Sequence, residues 1–384
     1  MDRRKFIKAS AMTAAALSVS DIASSCCSEG KKKPAVKIPE LKQTVEAPVG
    51  DIRSMYIELG HNMWCDWPTE QMGSSLEEGA ALLQEGSRPD LKLQCKDEYW
   101  KEVTDYMAQK GVNMIVVDLG EGLYYPSHPE LAIEGTWSIE KMQAEIRRLN
   151  ALGVEVIPKL NFSATHNGWM KDYRHMVCSQ PYYRMCEDVI ADVMAIFGYP
   201  RYFHIGFDEE VPMYQEKIFG RSYVCARLGE MWMHDFLHIV RTVESHGARP
   251  WVWSDYGWAH PEYYTRCPKS VVQVNWYYDE QYGGFDPETN NTSDHERLVA
   301  FWDLEKHGFD QVPCGTNWVG SGRLALKINA DDVIGKLVNL CREIVSKDHL
   351  MGFMMAPWEG CFSPETVEIQ KKGTDLFIEA LQKK

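Results

Sequence analysis

Apolar and polar residues follow two periods along most of this chain. From Arg53 onward, short apolar runs of strand composition alternate with longer stretches whose apolar residues recur three and four apart. The short runs predict strands over 54–59, 113–119, 154–160, 201–208, 251–254, 271–276, 311–314 and 351–357. The longer ones predict helices over 99–110, 139–152, 181–197, 224–245, 298–307, 331–346 and 366–382, with Gly111, Gly153 and Gly247 as stops. Strict alternation implies a parallel sheet. About eight such units at this length imply a closed (β/α)8 TIM barrel filling 51–384 as a single domain, in preference to an open doubly wound sheet. No glycine-rich dinucleotide loop follows any of these runs, since Gly120-Glu121-Gly122 lacks the third glycine.

The run over 201–208 has the most unusual pattern. Arg201-Tyr202-Phe203-His204-Ile205-Gly206-Phe207-Asp208-Glu209-Glu210 is an aromatic and aliphatic stretch ending in three consecutive carboxylates. If extended, it puts His204, Gly206 and Asp208 on one face. Phe203, Ile205 and Phe207 fall on the other, where helices would cover them. Alone, this is also the pattern of a strand entering an acidic, solvated loop. The other strand ends decide between the two: Asp118, Asn161, Ser254-Asp255, Asn275-Trp276, Asn317-Trp318 and Trp358-Glu359. Gathered at the C-terminal rim of one barrel, they make a cup suited to a sugar, with indoles for pyranose faces and carboxylates and amides for hydroxyls. The 13 Trp, 18 Tyr and 13 Phe agree with that, although aromatic side chains are more often core.

Charge and cysteine usage narrow the class. The 384 residues carry a formal net charge of −14. Residues 1–50 hold nine Lys/Arg against five Asp/Glu, so the rest carries −18, which argues against a nucleic-acid partner. Residues 1–27 read as an export signal. Arg3-Arg4-Lys5-Phe6-Ile7-Lys8 resembles the twin-arginine motif and precedes a weakly apolar, Ala-rich stretch, with an ordinary secretory signal as the alternative. Ile22-Ala23-Ser24-Ser25-Cys26-Cys27 resembles a bacterial lipobox, in which Cys26 would be lipidated and would attach the protein to a membrane. An unlipidated periplasmic product is the alternative. Residues 28–50, with Lys31-Lys32-Lys33 and three prolines, read as a flexible tether. Nine cysteines remain beyond Cys27, an odd number with no C-x-x-C pair, which is neither a disulfide framework nor a zinc site. No metal and no cofactor are expected.

With these residues placed, the chain resembles the catalytic barrel of the family 20 glycoside hydrolases, the β-N-acetylhexosaminidases. His204-Ile205-Gly206-Phe207-Asp208-Glu209 resembles the family's His-x-Gly-Gly-Asp-Glu. Residues 113–118 resemble its second strand, and Val156-Ile157-Pro158 with Asn161 and His166 its third. Residues 251–255 resemble its tryptophan-and-acid strand, and Trp358-Glu359 its closing Trp-x-Glu. Phe207 replaces the family's second glycine, and Ser163-Ala164-Thr165-His166 its Pro-Gly-His.

The resemblance implies a glycan substrate with β-linked N-acetylhexosamine, cut by substrate-assisted, retaining hydrolysis. Glu209 would be the general acid and then the base, and Asp208 would hold the acetamido N–H and stabilise an oxazolinium. Glu210 would be an ordinary loop carboxylate. His61 stands nearest the place of the family's sugar-binding arginine. Asp118, Asn161, His166, His204, Trp253, Asp255, Trp276, Trp318, Trp358 and Glu359 would line or organise the sugar site. Tyr277 or Tyr278 would direct a hydroxyl at the acetamido oxygen. Two other classes remain: a glycan-binding barrel without catalysis, and a metal-dependent sugar isomerase or hydrolase using Asp208, Glu209 and histidines as ligands.

Overall fold

The eight apolar runs become the eight strands of one parallel barrel. The computed structural model describes residues 36–69, 72–218, 220–221, 223–279, 295–318 and 330–383. Its strands are β1 (Ile52–Glu58), β2 (Met114–Asp118), β3 (Glu155–Lys159), β4 (Tyr202–His204), β5 (Arg249–Trp253), β6 (Val272–Val274), β7 (Cys314–Gly315) and β8 (Gly352–Met355). They pair in the order β6-β5-β4-β3-β2-β1-β8-β7. The ring closes between β6 and β7, where the N–H groups of Val312 and Cys314 donate to the carbonyls of Gln273 and Asn275 at 2.9 Å. This is the (β/α)8 TIM barrel that the alternation predicts.

Alternation along the strands sorts the core into two layers. Met114, Val116 and Ile157 join Tyr56, Trp251, Trp253 and Val274 inside the barrel. Ile115, Val117 and Val156 join the helices outside it. Buried on both faces, β2 reads as one unbroken apolar run up to Asp118.

The covering helices are α1 (Leu76–Leu82), α2 (Asp97–Lys110), α3 (Ile139–Ala151), α4 (Gln180–Ile196), α5 (Glu230–Ser245), the short α6 (Tyr256–Ala259) and α7 (Tyr263–Arg266), then α8 (His295–Lys306), α9 (Ala330–Ile344) and α10 (Pro364–Gln382). Several start where a serine side chain caps the first turn: Ser138 accepts from the Lys141 N–H and Ser179 from that of Tyr182. Ser363 and Thr366 form a reciprocal capping box. Gly111 ends α2 in the left-handed conformation, φ 100°.

Four expectations change. The strand over 201–208 stops at His204, because Gly206 and Phe207 are left-handed (φ 71° and 72°). The helix over 224–245 starts at Glu230, because side chains hold the preceding segment as a loop: Gln215 accepts the Cys225 N–H at 3.0 Å and Glu210 that of Arg227 at 2.6 Å. α1, α6 and α7 are too short to give a periodic signal and went unpredicted. Residues 38–50, expected to be part of the tether, are not separate from the barrel. From Ile38 on, the chain belongs to the barrel unit. Gln43 donates to the Val156 carbonyl at 2.7 Å, and the Ala47 N–H donates to Glu155 at 2.7 Å.

Residues 1–27 with Cys26, and 28–35 of the tether, lie outside the described residues. Among the described residues no helix is long and apolar enough to cross a membrane.

Candidate active site

The acid pair sits on a turn that continues β4 beyond its formal end. Ladder bonds persist past His204: the Ile205 N–H donates to Trp251 at 2.8 Å, and the Trp253 N–H to Gly206 at 3.1 Å. Then Gly206, Phe207 and Glu209 take positive φ, the last at 52°. For Phe207 and Glu209 such a conformation costs about 1–3 kcal/mol each. Gly206 has no alternative. A Cβ there would lie 2.2 Å from Asn161 Oδ1. Phe207 faces outward, as the alternation predicts, and packs its ring at 5.6 Å from Trp232 and 5.5 Å from Phe236 of α5.

Asn161, at the end of β3, organises this turn. Its Oδ1 accepts from the N–H groups of Ser163 (3.0 Å) and Phe207 (3.1 Å), and its Nδ2 donates to Asp208 Oδ1 at 2.7 Å. His166 lies between the two acids, Nδ1 3.1 Å from Asp208 Oδ1 and Nε2 3.6 Å from Glu209 Oε2. The second distance is an ionic contact, too long for a hydrogen bond.

The two carboxyls are thereby split in character. Burial pushes Asp208 up, but the charge and hydrogen bond of His166, with Lys159 and Asn161, hold it well below the usual carboxylate range. Glu209 goes the other way. Burial raises it to about 7, with His166 opposing and Asp208 adding. Asp208 is 7% exposed and Glu209 26%, so the group inclined to hold its proton is the one that meets solvent.

A third carboxyl completes the group. Asp255 Oδ2 accepts the Glu209 N–H at 2.7 Å, while its buried Oδ1 has no hydrogen-bond partner among the described residues. Burial and the neighbouring Asp208 push Asp255 well above its ordinary range.

Indoles and phenols line the inside of the cup. Trp358, itself left-handed at φ 54°, has ring centroids 4.8 Å from Tyr56, 5.4 Å from Trp253, 6.1 Å from Trp64 and 6.3 Å from Tyr278. Trp276 stacks on Tyr278 at 4.8 Å and meets Trp258 edge-on at 4.5 Å. Tyr277 belongs to the outer layer and Tyr278 packs on the inner one, so of the two only Tyr278 is on the side of the cup. The alternation from Val274 through Trp276 requires it. Trp318 is half-buried, with its N–H on the Thr316 hydroxyl at 2.8 Å.

A second polar group stands at the ends of β1 and β8. His61 Nδ1 is 3.1 Å from Glu58, and Glu121 Oε1 accepts the N–H groups of His61 (2.7 Å) and Asn62 (3.0 Å). Burial alone would lower His61, but Glu58 and the acids around it carry it to about 9. Glu359 is raised to about 7 by burial and by Glu58.

Three of the expected residues sit deeper than the cup's lining. Asp118, expected to line the sugar site, has a buried carboxylate bonded to Lys159 Nζ and to the Tyr56 hydroxyl (2.5 Å), an ion pair under the cup's floor. His204 is a floor residue too. Its Nδ1 accepts the Gly206 N–H at 3.1 Å, its ring packs 4.6 Å from Trp253, and burial with the Lys159 charge keeps it neutral. Glu210 is not a loop carboxylate in solvent: it is buried and ion-paired to Arg227. Sequence reasoning missed Lys159, Arg227, Trp64, Trp258, Glu58 and Glu121. Lys159 alone had a visible signal, a lysine inside an apolar strand.

No family model matches the chain, and no curated protein matches it. Solved structures do. A β-N-acetylhexosaminidase from Bacteroides fragilis superposes with a TM-score of 0.52 at 13% identity, over 84% of this chain and 65% of that one. A Streptomyces plicatus β-hexosaminidase in complex with the product GlcNAc gives 0.54 at 13% identity, over 86% and 64%. A family 20 exo-β-N-acetylglucosaminidase from Vibrio harveyi gives 0.51 at 13% identity, over 87% and 57%. The likeness is one of fold. This chain spans less than two thirds of the length of each of the three.

Proposed function

We propose that this barrel is a glycoside hydrolase that removes β-linked N-acetylhexosamine by substrate-assisted, retaining hydrolysis. One observation carries the reading. Adjacent carboxyls on a strained turn at the barrel mouth are driven apart in acidity, Asp208 low and Glu209 to about 7. Near neutrality Glu209 can donate a proton while Asp208 stays ionised.

In this mechanism the acetamido oxygen of the substrate attacks the anomeric carbon as Glu209 protonates the departing glycosidic oxygen. Asp208 accepts the acetamido N–H and balances the positive charge of the oxazolinium that forms. Glu209, now ionised, takes a proton from water as that water opens the oxazolinium, which restores the acetamido group and the protonated acid. His166 and Asn161 fix Asp208, and Trp253, Trp276, Trp358 and Tyr278 form the walls for the sugar. His61 and Glu359 reach the hydroxyls farthest from the scissile bond.

Hydrolysis of aryl β-N-acetylglucosaminide and β-N-acetylgalactosaminide beside the 2-hydroxy analogues tests this. Turnover restricted to acetamido sugars is expected. Equal rates on the 2-hydroxy analogues would remove substrate assistance, and no turnover of any of them would remove the hydrolase.

One observation favours a second reading. Ligand atoms of His166, Asp208 and Glu209 all lie within 4.8 Å of one another, which would suit a divalent cation in a sugar isomerase or hydrolase. Loss of activity on chelation, restored by added metal, would select it. The export and lipidation of Cys26 expected from the N-terminus belong to the same proposal, since an exported hydrolase meets glycans outside the cell.

A further inference from the structure

We propose that Arg227, with Glu210 and Asp235, is a positioning device that grips the catalytic turn on both sides of Asp208-Glu209. The inference rests on the reading of Glu209 as the acid. Arg227 is buried and spends its donors on three different elements. Its Nε and Nη2 hold the two oxygens of Glu210 at 2.8 and 2.6 Å, and its own backbone N–H adds a third bond at 2.6 Å. Nη2 also donates to the Phe162 carbonyl after β3 at 2.7 Å, and Nη1 to Asp235 of α5 at 3.0 Å. The same guanidinium lies over the Phe207 ring, 5.1 Å from its centroid. The residue before the acid pair and the residue after it are therefore both held by one side chain. Glu210 is fixed further by the Ala164 N–H at 3.1 Å, and Asp235 by the Tyr183 hydroxyl at 2.5 Å.

Stability alone does not account for this arrangement. A buried ion network costs desolvation, and an apolar cluster of equal volume is often as stable. Directional bonds do something a greasy cluster cannot, since they fix where the neighbouring residue points. Phe207 is also where the motif departs from the family's Gly-Gly. A bulky ring in left-handed backbone needs a partner surface, and Arg227 with Trp232 and Phe236 supplies it.

Glu210→Gln keeps the shape and removes the charge, and Arg227→Lys keeps the charge and removes the fork. Each is expected to lower kcat on an aryl β-N-acetylglucosaminide by about 10- to 100-fold. KM should change by less than about twofold, since the substrate's own contacts stay in place. In Arg227→Lys, which keeps the charge, the alkaline limb of the pH profile should move below about 7, because a loosened Glu209 is better solvated. Glu155→Gln, in an ion pair at the far end of the barrel, is the control. It should lower Tm and leave kcat and the limb alone. Variants of the triad that behave like the control would overturn the proposal. If neither triad variant folds, Phe207→Leu leaves the ions in place, removes the ring under Arg227 and is read the same way. If the wild type hydrolyses no β-hexosaminide, the functional reading fails by itself. Positioning is then read from the Glu209 titration by carbon-13 NMR of glutamate-labelled protein. A midpoint lowered in Phe207→Leu, which changes no charge, supports it, and an unmoved midpoint overturns it.

Discussion

The two ends of this barrel treat their carboxylates differently. At the N-terminal end, Arg201 holds both oxygens of Glu155 at 2.8 and 2.7 Å, and Glu155 also takes the Ala47 N–H. Arg53 lies on Asp51 and the Gly111 carbonyl, and Asn113 bonds the Asp51 carbonyl and the Arg53 N–H. At the C-terminal end, Asp255 keeps an unpartnered buried oxygen among the described residues, Glu209 and Glu359 are driven to about 7, and Phe207, Glu209 and Trp358 sit in left-handed backbone. Strain and unmet polarity persist only where the surroundings over-determine them. The bottom of the barrel settles the fold, and the mouth holds what a reaction could use.

The strongest test of that contrast is Glu209→Gln. A loss of about 10³-fold in kcat is expected on a substrate with a poor leaving group, where protonation is needed, and a smaller loss with a nitrophenol. Unchanged rates on both would dismiss the acid and, with it, the reason for a strained mouth.

Next in size is Gly206→Ala. The new Cβ would meet Asn161 Oδ1 at 2.2 Å in a backbone that resists side chains. Activity should fall about 10²-fold as Asn161 releases Asp208, and thermal melting should show about 2 kcal/mol of lost stability. Full activity would mean that Asn161 does not hold the turn.

The pH dependence is smaller in amplitude and sharper in meaning. In the proposed mechanism Glu209 acts as an acid while protonated, so kcat/KM should be full below about pH 7 and fall as pH rises through it. The same shift has a stability sign. A carboxyl raised in the folded state stabilises the fold below its unfolded value, and that contribution is lost as pH rises through about 7. Denaturant midpoints for wild type and Glu209→Gln should be closest at low pH, where both side chains are neutral, and part as pH rises through about 7, with the wild type falling below the variant. A gap independent of pH would contradict the shift.

The least effect on catalysis should come from Arg201→Met. It strands part of the Glu155 charge and should cost about 2 kcal/mol by chemical denaturation, with kcat within about twofold of wild type. A large kcat effect would erase the distinction between the two ends.

The family resemblance is specific at six residues, 204–209, and the structure shows why Gly206 among them is legible. Gly206 is required by its approach to Asn161, whose amide also holds Asp208. Asp118 and Glu210 misled for one reason. Both are carboxylates at strand ends, and chain position cannot say whether a cation lies across from them. Lys159 is 41 residues from Asp118 and Arg227 is 17 from Glu210. Residues 38–50 misled similarly, because Gln43 finds its partner 113 residues away, at Val156.

The sequence by itself determined the barrel, the rim of polar and aromatic strand ends, and the acid pair, because periodicity and local turn chemistry are properties of neighbours in the chain. Only the tertiary structure decided which carboxylates are neutralised and which are free, that Tyr278 and not Tyr277 faces the cup, and that Arg227 joins the turn to α5. Those are set by partners distant in sequence, and the energy of a buried charge depends on what stands opposite it.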